Sequence, residues 1–311
     1  MGRLASVARC RANRYEVVRG LWKGVAIPSI MYGLETFVWP KKDMDRLEVS
    51  QNKVGRVALG ANRYAAVEAI RGDMGWSTFK ERIGKAVLRY TVRLLRMDAN
   101  RWARKVHEWN VEGKWMRDSV RMQIWAEVGL IGVARGEASM KRCKGLIDKC
   151  VEKKGLEEWL RGVREKVTLV WYRGKDQPRY ERLYDGSFGG ELLFKARTKS
   201  LEVNSRVYRW ENDGSKLCIM CRVGEDETVE HLMLECERYE YERQRMLETV
   251  VEEIGVDRWN EVKERSVNDQ MKYLLGLSGE WKSESGVGEC VKDFLVCAWM
   301  SRKSMNERMR V

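Results

Sequence analysis

T-F-K-E-R-I-G-K-A-V-L-R-Y-T-V-R-L-L-R-M, residues 78–97, reads as one amphipathic helix. Phe79, Ile83, Val87, Tyr90, Leu94 and Met97 recur at three and four residues, which lines them up as a single apolar stripe. Thr78 and Glu81 form the T-x-x-E pair that satisfies orphan amides at a helix start. Arg82, Lys85, Arg89, Arg93 and Arg96 repeat at the same spacing, about 100° round the helix. Glu81 is the only acid of this stretch before Asp98. One side is therefore expected to pack inward while a rail of five cations faces out. Solvated faces usually mix signs, so the rail is expected to follow a phosphate backbone, and its five residues are the candidate nucleic-acid contacts. A plain solvated face is the alternative.

The same periodicity spreads outward in both directions. Tyr15, Val18, Leu21, Trp22, Val25 and Ala26 keep helical spacing until Pro28, which is expected to interrupt it, and residues 27–39 are apolar enough to be buried. A helix opening at Lys41 turns Met44, Leu47, Val54 and Ala58 inward and ends at Gly60, and residues 73–76 read as a turn. Residues 101–170 form a chain of amphipathic helices, among them residues 114–125. Trp102, Val106 and Trp109 share a face that is expected to join the core rather than to stack on bases. Cys143, Leu146, Ile147 and Cys150 share another, and His107 is expected to be structural or on the surface. Residues 174–190, rich in Gly and other turn formers, mark a domain boundary. Residues 191–210, 239–254 and 291–309 complete the helices, with Cys290 and Cys297 directed at the core. Only three Pro and 34% charged residues agree with a mainly α chain.

The chemistry-bearing motif is L-C-I-M-C-R-V-G-E-D-E-T-V-E-H-L-M-L-E-C, residues 217–236. Cys218, Cys221, His231 and Cys236 concentrate soft ligands in a chain of eight Cys and two His. A Cys-x-x-Cys pair spans one edge of a zinc tetrahedron with little strain, and four protein ligands leave no position for water, so one structural Zn2+ is expected. Thr228 is placed to cap a helix bearing His231 and Cys236. Four ordinary buried side chains are the alternative.

The net charge of +13 is unevenly spread. Residues 1–110 hold 22 Lys and Arg against 10 Asp and Glu, residues 111–210 hold 22 against 14, and residues 211–311 hold 15 against 22. The basic part favours a polyanion, RNA or DNA, and the acidic part does not share that bias. The first residues, M-G-R-L-A-S-V-A-R-C, lack the apolar core of a secretory signal. An intracellular chain with reduced thiols is expected, for which metal ligation is the better use of clustered Cys.

I-P-S-I-M-Y-G-L-E-T (residues 27–36), L-E-V-S-Q-N-K-V-G-R-V-A-L-G (47–60) and D-M-G-W (73–76) resemble the segment after the palm of non-LTR retrotransposon reverse transcriptases. R-x-K-S-L-x-x-N-x-R (197–206) and the Cys/His array resemble that family's C-terminal module. The resemblance implies a basic thumb-like bundle over residues 1–110, a helical connector over 111–185 and a CCHC zinc module with C-terminal helices over 186–311. It implies a nucleic-acid-binding part of an RNA-directed DNA polymerase, in the nucleus or cytoplasm. Polymerase catalysis in that family needs an adjacent Asp-Asp pair, which this chain lacks, so the chain resembles the tail of such an enzyme without its fingers and palm. No catalysis is therefore expected of the chain itself. Two other readings stand beside this one. The first is a metal-dependent nuclease remnant using Asp269, Glu280 and Lys282. The second is the product of a decayed element, against which the intact ligand set and the capped helix argue.

Overall fold

The computed structural model describes residues 13–36, 40–112, 140–208, 215–221, 223–281 and 286–309. The helix expected across 114–125 lies outside them, as does Lys282. In chain order the α-helices among the described residues are α1 (Arg14–Leu21), α2 (Ile27–Met31), α3 (Lys41–Leu59), α4 (Val67–Met74), α5 (Phe79–Leu95), α6 (Trp102–Glu112), α7 (Met140–Glu165), α8 (Phe188–Arg197), α9 (Asn204–Val207), α10 (Glu240–Ile254), α11 (Val256–Lys263), α12 (Val267–Leu274) and α13 (Val287–Met309). The described residues form no strand, only isolated antiparallel bridges between Met74 and Tyr180 and between Leu217 and Asp226. The fold is mainly α, and no described helix is long and apolar enough to cross a membrane. Two compact units are present, a smaller one of residues 20–53 and 76–159 and a larger one of residues 1–19, 54–75 and 160–311. Each is discontinuous in sequence, whereas the sequence reading divides the chain serially.

In the smaller unit the stretch quoted first forms α5, with the full reciprocal capping box between Thr78 and Glu81. Glu48 adds its carboxylate to the same helix start, accepting from the amides of Phe79 and Lys80. Phe79, Ile83, Val87 and Leu94 are buried as the stripe requires. The same helix also buries Leu88 and Val92 against Cys143, Ile147 and Val151 of α7. Trp22 packs edge-on to Phe79 at 6.4 Å and donates its indole N–H to Gln51 at 3.3 Å, so the one polar atom of a buried ring is satisfied.

Three expectations fail in this unit for identifiable reasons. Pro28 does not end the helix: α1, a π turn over Trp22–Ala26 and α2 follow without a break, and the wider turn immediately precedes the proline ring. Of the apolar run 27–39, the described residues bury only Leu34, and residues 37–39 lie outside the described residues. Helix α2 buries no side chain and Tyr32 is 90% exposed, because a helix of little more than one turn points its residues in all directions; only the turn Leu34–Thr36 packs on α5. Helix α6 turns its polar side inward: Arg104 donates to the carbonyls of Leu95 (2.9 Å) and Met97 (2.8 Å), capping the C-terminus of α5, and His107 is buried. Trp102 and Trp109 are left 80% and 76% exposed.

The larger unit is built around a buried polar knot at Asp73, the last acid of α4. Its carboxylate accepts from Lys175 Nζ (2.8 Å) and from the hydroxyls of Tyr172 (2.7 Å) and Tyr184 (2.6 Å). Fully buried Arg197 lies 3.6 Å from it and donates to the Tyr184 hydroxyl at 2.9 Å. Glu181 pairs with Lys175 and lies 3.7 Å from Arg197. The backbone helps: Arg179 and Glu181 donate to the carbonyls of Gly72 and Asp73. Gly75 makes this approach feasible, because at φ +61° a Cβ there would meet the Tyr180 amide nitrogen at 2.6 Å. Residues 174–185, read from sequence as a boundary, thus supply buried partners to this unit. Burial alone would raise the Asp73 pKa, but the charges of Arg197 and Lys175 and the hydrogen bonds from Lys175 and Tyr184 hold it below the usual carboxylate value. Burial and the Asp73 charge keep Tyr172 and Tyr184 neutral, well above the ordinary phenol value.

Candidate metal centre and the basic helix

Lys216–Cys218 pairs with Glu225–Glu227: the Cys218 amide donates to the Glu225 carbonyl and the Glu227 amide to the Lys216 carbonyl, each at 2.8 Å. The loop between them, turned by Gly224 at φ +81°, carries Cys221. Thr228 caps the next turn as expected, its hydroxyl accepting from the His231 amide at 3.0 Å. That turn is a π turn over His231–Glu235, closed by the Cys236 amide on the His231 carbonyl at 2.7 Å. In an α-helix a residue five positions on is rotated about 140° away. The wider turn absorbs the extra residue and lets Cys236 face the same point as His231.

The four expected ligands converge. Their donor atoms all lie within 4.8 Å of one another, with Cys218 Sγ 3.8 Å from Cys236 Sγ and Cys221 Sγ 3.4 Å from His231 Nε2. Tetrahedral metal–sulfur bonds of about 2.3 Å separate two sulfurs by about 3.8 Å, so the donor set and its spacing fit a small tetrahedral divalent ion. Cys218, His231 and Cys236 are buried; Cys221, on the loop, is half-buried. Burial raises the Cys218 thiol pKa, and burial together with the neighbouring Cys218 and Cys221 sulfurs pushes Cys236 up to about 12. A cation is the group that reverses this bias and makes the sulfurs ligands.

Sequence reasoning missed the surroundings of this cluster. Glu225 and Glu235 carboxylates face His231 Nδ1 at 3.2 and 3.5 Å, which suits a donor N–H there and leaves Nε2 to the sulfurs. Buried Glu227 is gripped by Arg302 of α13 through two bonds of 2.7 and 2.8 Å and accepts from the Asn204 amide at 2.7 Å. Asn204 also donates to the Leu217 carbonyl at 2.8 Å. Arg302 lies 75 residues from Glu227, and no pattern within either segment announces the pair.

The five cations of α5 do not form an open rail. Lys85 pairs with Glu152 at 2.8 Å, and Arg89 pairs with Asp148. Arg82 donates to Gln51 at 2.6 Å, and Arg96 lies 3.2 Å from Cys143 Sγ. Of the five, Arg93 alone is exposed. The missing sign was not missing from the molecule, since α7 supplies it, with Glu158 bonded to Lys80 at 3.0 Å extending the same row.

The other candidates separate. Asp269 accepts from Ser266 and Lys272 at 2.7 Å each, and Glu280 is held between Arg258 (2.6 Å) and Arg265 (2.8 Å), so neither carboxylate is offered to a shared cation. Cys143 is core as expected, whereas Cys290 is half-buried and Cys297 is exposed on α13. Comparison with protein-family models, curated proteins and solved structures gave no match.

Proposed function

We propose that the chain is a nucleic-acid-binding part of a mobile-element RNA-directed DNA polymerase, without a polymerase centre of its own, whose Cys/His cluster holds one structural zinc ion. Cys218, Cys221, His231 and Cys236 hold the ion, which supplies cross-linking and charge neutralisation rather than reactivity, because all four positions belong to the protein. The observation that carries the reading is the meeting of the resembling segments. Asp73, from D-M-G-W, is buried against Arg197, the first residue of R-x-K-S-L-x-x-N-x-R. Asn204, from that same block, bonds Leu217 and Glu227 of the Cys/His array. Segments scattered through the sequence are structural partners, as parts of one inherited module are. The excess of Lys and Arg over residues 1–210 supplies the polyanion preference.

Fluorescence anisotropy with labelled duplex and single-stranded oligonucleotides over about 50–200 mM salt tests the binding. The expected result is a log affinity that falls linearly with log salt; failure to bind either form at low salt overturns the reading. Elemental analysis of the purified chain is expected to return one zinc per chain. Primer extension with template, nucleotides and Mg2+ is expected to yield no product.

A further inference from the structure

Between α5, α7 and Glu35 in the smaller unit lies an open groove of about 540 Å³. Its accessible apolar floor is supplied by Ala86, Tyr90 and exposed Met140, laid over Val92, Cys143 and Ile147, which are buried beneath it. Four cations surround it, Arg89 and Arg93 from α5 and Lys141 and Lys144 from α7, against the single carboxylate of Glu35. Arg89 is committed to Asp148. Arg93, Lys141 and Lys144 are exposed and make no ion pair with a described residue. The free positive charge at this groove therefore comes from both helices and not from α5 alone.

We infer that this groove binds single-stranded nucleic acid, with phosphates on Arg93, Lys141 and Lys144 and a base against Tyr90 and the apolar floor. The assignment rests on the nucleic-acid reading above and narrows it. A duplex offers phosphates at its surface but keeps its bases stacked inside, so it has nothing to place on an apolar floor. A single strand presents both a charged backbone and π faces, the combination that cation-lined grooves with aromatic side chains take up. The floor carries no base-edge donor or acceptor, so binding should tolerate any sequence, and RNA and DNA share the chemistry it reads.

The test uses the full chain with oligo-dT, oligo-U and a duplex of equal length. The variant R93Q/K141Q/K144Q removes only exposed, unpaired charges and leaves the Lys85–Glu152 and Arg89–Asp148 pairs intact, so its helix content should match the wild type. At low salt it is expected to bind both single strands at least about tenfold more weakly, with a salt slope smaller by about 2, from three phosphate contacts at about 0.7 each. The charge-preserving K141R/K144R is expected to bind as the wild type does, and Tyr90→Leu to lose affinity with no change of slope. Unaltered single-strand affinity and slope in the triple variant overturns the groove while wild-type binding leaves the broader reading standing. Equal losses on duplex and single strand overturn the single-strand assignment, and so does competition by polyglutamate of matched charge as effective as by oligo-dT. A wild-type chain that binds neither strand form overturns both proposals together.

Discussion

Cys218, Cys221, His231 and Cys236 come from one short stretch, whereas Asp73, Lys175, Glu181 and Arg197 are drawn from distant parts of the chain, yet both groups bury chemistry that water would otherwise solvate. The knot at Asp73 is charge-balanced within the chain: two carboxylates meet two cations, and tyrosine hydroxyls bond Asp73, though Arg197 Nε and Nη2 find no acceptor. The cluster is not. Its thiols resist ionisation, its neighbours Glu225 and Glu235 are acids, and its four converging donor atoms could hold a metal ion. Two buried polar centres of one unit thus differ, one answered by partners from the fold itself and the other able to take up an ion.

The largest separation of the two should come from metal removal. A strong chelator should open residues 215–239 to protease while the Tyr15 and Tyr184 environment stays protected, since structural zinc contributes on the order of 10 kcal/mol to small modules at neutral pH. Protection of the cluster that survives chelation would break the comparison. Next in size, Asp73→Ala leaves buried Arg197 and Lys175 with Glu181 as their one remaining carboxylate and should cost about 3–5 kcal/mol in denaturant melts, with the metal content unchanged. Tyr184→Phe removes two hydrogen bonds to charged groups, the one donated to Asp73 and the one accepted from Arg197, and should cost about 1.5–3 kcal/mol. The smallest effect within the working range is that of pH. Folding holds the Asp73 carboxyl below its ordinary value, so the unfolded chain takes up its proton first as pH falls. The knot's contribution should be flat from pH 7 to about 5, begin to fall below about pH 4 and vanish as the folded pKa is passed. Asp73→Asn should abolish that acid-limb slope, which a melt series at fixed ionic strength would check.

These centres also mark what a sequence makes readable. The ligand set was legible because its residue types are rare and its spacing short; the cap at Thr78 was legible because it closes within four residues. The knot was not, because nothing near Asp73 names Lys175 or Arg197 as its partners. The cationic face of α5 misled for a related reason: sign balance was judged along one helix, while Glu152, Asp148 and Glu158 answer it from another. Helix α6 misled through its tryptophans, since the requirement to cap α5 with Arg104 outweighed the burial of Trp102 and Trp109.

The π turn at His231 has a consequence for how far this module can vary in length. It is a helical turn with one residue to spare, closing on the fifth residue where an α-helix closes on the fourth. Deleting Leu234 would let the segment relax to ordinary helical pitch, in which a residue four positions on is rotated by only about 40°. His and Cys would then still share a face. A further insertion has no such fallback, because no common helix closes on the sixth residue. Deleting one residue between His231 and Cys236 should therefore disturb their convergence less than inserting one.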